Sequence, residues 1–122
     1  MNLQILMFKT SDSDLDRPFI ALQGSNEKPF APLQVIEDIE KSGLQEDIAH
    51  KTIHHVIMSY LLGLLNEGFE YDKICSAIDD SITGFKTAGS DCSDWIYQLN
   101  AQRRALDSAN SIYLSNNVKR RM

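Results

Sequence analysis

The sequence predicts a mainly α-helical α+β fold: an N-terminal β-hairpin packed on a compact bundle of about four helices with a central apolar helix. Three observations predict it. Apolar residues recur at i, i+3, i+4 and i+7 in successive segments that Gly and Pro separate. The first 24 residues instead hold two short apolar runs rich in β-compatible side chains. A length of 122 residues suits one hydrophobic core and no second. One globular domain is therefore expected over 1–114, with the hairpin at 1–24 and the helical bundle at 32–114. A basic, disordered tail is expected over 115–122.

The hairpin is expected from residues 2–9 (NLQILMFK) and 18–24 (PFIALQG), joined by the polar loop TSDSDLDR. Two strands alone are marginal in water, so the pair must rest on the helices that follow. Pro32 suits the first turn of a helix, where its missing N–H is harmless. Leu33, Val35, Ile36 and Ile39 then form an apolar stripe, and Gly43 stops the helix. The next helix, about 45–66, is apolar over most of its circumference. Thr52, His55, Ser59 and Asn66 leave only a thin polar strip, which predicts a helix surrounded by others. Gly68 breaks it.

A third helix, about 70–86, places Tyr71, Ile74, Cys75, Ile78, Ile82 and Phe85 on one face. Asp91 or Ser93 can cap a fourth, about 92–114, whose stripe runs Trp95, Leu99, Leu106, Ala109 and Tyr113 with Gln102 interrupting it. After Leu114 the segment SNNVKRRM carries no core signal, so fraying or disorder is expected there.

Charge is unevenly spread. The net value is −5, yet residues 1–102 hold 16 acidic and 7 basic side chains, while 103–122 hold only Asp107 against Arg103, Arg104, Lys119, Arg120 and Arg121. An acidic body repels phosphate, so nucleic acid could be gripped only near the basic end. The longest apolar run, Val56 to Leu65, is too short to span a bilayer and is broken by Ser59, Tyr60 and Gly63. The first residues have neither a basic n-region nor a small-residue cleavage site. A cytoplasmic location follows as the expectation, with Cys75 and Cys92 as free thiols.

Catalytic signatures are missing from the residues. There is no GxSxG elbow, no GxxxxGK[ST] or GxGxxG cradle, and no CxxC pair. Adjacent carboxylates such as Glu37–Asp38 and Asp79–Asp80 diverge by about 100° on a helix and do not face each other. His50 and His54 have the i, i+4 spacing that chelates a metal, with Glu46 one turn earlier. A competing reading has His50 at the core edge bonded to Glu46, with His54 and His55 progressively more exposed. Without HExxH order or a second ligand cluster, no catalytic residue, metal ligand or cofactor is assigned.

Residues 71–86 resemble the helix-turn-helix of sigma-factor-like and repressor modules over about one eighth of the chain. A first helix (Tyr71 to Ile78) would turn into a second (Ser81 to Lys86). Asp79 stands where Gly is usual and Asp80 at an apolar position, and a continuous amphipathic helix explains the same residues.

The expected function is that of a small acidic, non-enzymatic module that acts by stoichiometric association with another protein: an inhibitor, immunity protein, antitoxin-like factor or adaptor. A nuclease or nucleic-acid-binding enzyme with a basic patch fits the charge. The contact candidates are Asp12, Asp14, Asp16, Glu37, Asp38, Glu40, Asp79 and Asp80. The alternative is a nucleic-acid-binding regulator using Thr83, Lys86, Arg103, Arg104, Lys119, Arg120 and Arg121. The surplus apolar surface of the second helix also makes a homodimer a candidate.

Overall fold

The computed structural model describes residues 3–9, 16–22, 31–88 and 91–121. Two strands, β1 (Leu3–Lys9) and β2 (Asp16–Leu22), precede four helices: α1 (Ala31–Lys41), α2 (Glu46–Asn66), α3 (Tyr71–Thr87) and α4 (Ser93–Arg121). The architecture is the expected one, a hairpin packed on a helical bundle.

The strands pair antiparallel from Leu3 opposite Leu22 to Lys9 opposite Asp16. β2 thus begins two residues before the expected start and ends two before the expected end. Pro18 is tolerated because β2 is an edge strand, paired only with β1 among the described residues. Side chains alternate between the faces of a strand, so the burial of Phe19, Ile20 and Ala21 in succession means that both faces of β2 are covered. The Phe19 ring meets Tyr60 of α2 at 5.2 Å.

α1 buries Leu33 and Ile36 and packs on α2. Its end is closed by the Ser42 hydroxyl, which donates to the Ile39 carbonyl at 2.6 Å, and by Gly43 at φ 78. α2 ends in a Schellman motif. The Phe69 and Gly68 N–H groups donate to the carbonyls of Leu64 and Leu65, and φ 104 at Gly68 explains the glycine. α3 is one continuous helix that buries Ile74, Ile78 and Ile82.

α4 touches α2, α3 and β2, so it shares the centre of the fold with α2. Its small residues Ala105 and Ala109 are fully buried, as are Leu61 and Leu65 of α2, and small side chains let a packed helix approach closely. Asp91 accepts from the Ser93 hydroxyl at 2.9 Å at the start of α4, where a cap is expected. The helix then runs on to Arg121, past the stop at Leu114 that the apolar stripe predicts.

Two side chains of α4 join it to the hairpin. Trp95 donates its indole N–H to the Asp16 carbonyl at 3.1 Å and meets the Phe85 ring of α3 at a tilt, with centroids 5.2 Å apart. Gln102 is 2% exposed. Its Oε1 accepts from the Ile20 N–H at 3.0 Å and its Nε2 donates to the Pro18 carbonyl at 3.0 Å. The polar residue that interrupts the stripe is therefore a peptide mimic docked on the open edge of β2. Among the described residues no helix is long and apolar enough to cross a membrane.

Candidate functional site

The main concavity is a groove of about 540 Å³ bounded by α1, α2, α4 and the start of β2. Its floor is apolar: Phe19, Leu33, Ile36, Ile53, Ile57 and Ala101. The two long walls follow from helical periodicity. His50, Ile53, His54 and Ile57 recur at i, i+3, i+4 and i+7 on α2, and Asp94, Tyr97, Gln98 and Ala101 do the same on α4. The two helices run in the same direction, because His50 to Ile57 line the groove with residues 94–104, and Leu65 lines a second hollow with Asn110 and Tyr113 further along. Ala101 is too short to fill the space between them, and the groove lies there.

The rim is charged. Arg17 bridges β2 to α1 through Glu40 at 2.7 Å. Asp94 and Asp16 share one end, since Trp95, next to Asp94, holds the Asp16 carbonyl. Arg104 stands exposed on α4 and is engaged by no carboxylate among the described residues. Tyr97, also on the rim, is 59% exposed, a large aromatic surface left to solvent.

A second cluster ties α3 to α4. Arg103 pairs with Asp107 at 2.5 Å and with Asp79 at 3.3 Å, and lies over the Tyr71 ring at 5.7 Å. The Tyr71 hydroxyl donates to Asp107 at 2.6 Å. That bond, with the Arg103 guanidinium, holds the Asp107 carboxyl below its ordinary range, and the same bond raises the Tyr71 phenol. The Cys75 thiol donates to Asp79 at 3.4 Å. Its pKa is raised, first by burial and then by that hydrogen bond, so it stays a protonated thiol and gains no nucleophilic character. This cluster is a clamp between helices.

The eight carboxylate candidates do not form one face. Asp12 and Asp14 lie outside the described residues. Glu37 is 3% exposed and bound to Lys41 at 3.0 Å, which removes it from the surface. Asp38 is exposed and accepts from Gln34, and Glu40 is spent on Arg17. Asp79 is held by Arg103 while Asp80 is exposed, both on α3, which packs on α4 and the hairpin and not beside α1 on α2. Only Asp16 and Glu40 reach the groove.

The helix-turn-helix expectation is corrected. Asp79 and Asp80 lie inside the unbroken α3, because both project to the exposed side while Ile74, Ile78 and Ile82 carry the buried stripe across them. Thr83 and Lys86 are exposed on that helix. Arg103 is neutralised within the chain and Arg104 belongs to the groove. The side chains of Lys119, Arg120 and Arg121 lie outside the described residues.

His50 and His54 both line the groove, but exposure does not rise steadily from His50 as expected: His50 and His55 are exposed and His54 is half-buried. His50 stands 3.9 Å from Glu46. Among the described residues no three His, Cys, Asp or Glu side chains converge as a metal site would require. The floor residues were read from the sequence only as core formers. The one signal available was the mixture of His and Ile on a single face of α2. Comparison with protein-family models, curated proteins and solved structures finds no match to this chain.

Proposed function

We propose that this protein is a cytoplasmic, non-enzymatic binding module that holds a partner protein stoichiometrically in the α1–α2–α4–β2 groove. The observation that carries the reading is an apolar floor inside a charged rim. Burial of the floor supplies affinity, and the rim charges supply register and steering. A general acidic mimic of nucleic acid has less support, since Glu37, Glu40 and Asp79 each face a cation of the same chain. The net negative charge still favours a partner with a basic surface, such as a nuclease, by speeding encounter at low salt. The nucleic-acid alternative loses its reading helix to the continuous α3 and Arg103 to the interhelical clamp.

The test is capture from the lysate of the source cell with tagged wild type and with Ala101→Arg, each split into nuclease-treated and untreated halves. Arginine suits a helix and would fill the groove from its floor. The expected result is one protein recovered at near-equal amount in both wild-type halves and absent from the variant, whose melting temperature stays unchanged. Recovery that depends on intact nucleic acid, or that Ala101→Arg leaves untouched, would overturn the reading.

A further inference from the structure

Resting on that reading, we propose that the groove accepts an amphipathic helix of about ten residues from the partner, running antiparallel to α2 and α4, with acidic residues in its first turn and basic residues in its last.

Three features carry this. The α4 wall spans residues 94–104, whose ends lie ten helical rises and so about 15 Å apart. A ten-residue helix about 10 Å across fills roughly 1,200 Å³. A groove of about 540 Å³, smaller than that, takes in only part of such a helix, as fits an occupant that offers one apolar face. The floor matches such a face, with Phe19, Leu33, Ile36, Ile53 and Ile57 available to three anchors spaced i, i+3 or i+4, and i+7.

The third feature is polarity. The rim is negative at the Asp16 and Asp94 end and positive at Arg104. Helices favour Asp and Glu in the first turn and Lys and Arg in the last, because these offset their own macrodipole. Such a helix meets the rim charges only with its acidic start at Arg104 and its basic end at Asp94. That direction also sets its dipole against those of α2 and α4, whose N-terminal halves both border the groove. The reverse orientation places like charges together at both ends.

The experiment selects binders to the whole chain from a display library of lactam-stapled twelve-residue helices, randomised at every position outside the staple. The expected selection carries an apolar i, i+3/i+4, i+7 stripe with Glu or Asp in the first turn and Lys or Arg in the last. Ala101→Arg should abolish binding of the selected peptides, and Arg104→Glu should weaken it by about threefold to tenfold. Selection on Asp94→Lys/Arg104→Glu should return the opposite charge order. Peptides without charge order, or with the same order on the double variant, overturn the orientation. No binder above background overturns the helix as occupant, while a partner protein captured by wild type and lost in Ala101→Arg would leave the broader reading standing. A dimeric mass in light scattering that Ala101→Arg converts to monomer would put a second copy in the groove and overturn the proposal.

Discussion

Replacing Gln102 by Met should cost about 3 kcal/mol of folding stability. Methionine keeps the length and most of the volume of glutamine, so no cavity opens and the change is confined to the amide. Two buried groups of β2 then lose their partner: the Ile20 N–H and the Pro18 carbonyl, both held at 3.0 Å. A buried group left unsatisfied costs about 1–3 kcal/mol, which puts the pair at about 2–6 kcal/mol. Against a domain stability of roughly 5–15 kcal/mol that is a large fraction.

Urea unfolding followed by Trp95 fluorescence reads it well, because the indole itself is bonded to the strand. Amide exchange at Ile20 should accelerate in the variant beyond the loss of global protection. A cost below about 1 kcal/mol, or an Ile20 amide as protected as in wild type, would refute the docking of the amide on the strand edge. Gln102→Glu sharpens the test. It keeps an acceptor for Ile20 but turns an anion toward the Pro18 carbonyl in a buried site. Burial raises the carboxyl pKa in the folded state, so the penalty is full above that raised value and fades as the pH falls toward about 4. The Met variant should lack that recovery.

Three further outcomes are expected. Asp107→Asn should destabilise near neutral pH and cease to matter in acid. The folded carboxyl titrates below its unfolded value, so its contribution is present above about pH 4 and is lost as pH falls through the folded pKa, as paired pH titrations of stability would register. Ultraviolet titration should find Tyr60 pushed up to about 12 by burial and then by Glu67, with Tyr71 also raised and falling back in Asp107→Asn. Gly63→Ala should raise stability by about 0.5–1 kcal/mol, since an added Cβ meets nothing within 4 Å inside α2. Gly43→Ala should lower it by about 1 kcal/mol, because φ is 78 there, and thermal melts of the two variants should move in opposite directions.

The helices were legible because helical periodicity is local: Ile74, Ile78 and Ile82 need only their own spacing to announce a buried stripe. The stops at Gly43 and Gly68 were legible for the same reason, each lying where the backbone turns to positive φ. Local spacing fails where a residue's role depends on something distant in the chain. Gln102 reads as a defect in a stripe until β2, 82 positions away, supplies the strand edge that it satisfies. Glu37 reads as surface until α1 turns its carboxylate inward beside Lys41. The end of α4 was misplaced by a related limit, since an apolar stripe marks where a helix is covered and not where its backbone hydrogen bonding stops.

The groove was invisible for a deeper reason. A core position and a groove position carry the same residue types, because both are apolar and both lie on the inward face of a helix. What separates them is whether the opposing side chains reach across. Leu61, Leu64 and Leu65 are buried on α2, as are Ala105 and Ala109 on α4, and that half of the packed α2–α4 pair closes. Ile53 and Ile57 share the groove with the short Ala101, while Gln102 beside it gives its amide to β2, and that half stays open. Gln102, which borders the groove, thus does two things at once: it fastens the hairpin, and its amide is held by Ile20 and Pro18 of β2 and does not extend across the opening beside Ala101. Gln102→Met should therefore loosen the hairpin and also partly fill the groove. Partner affinity should then fall further than the lost stability alone explains under conditions where the variant remains fully folded. Equal affinity of folded wild type and folded Gln102→Met would separate the two roles and leave Ala101 alone to account for the opening.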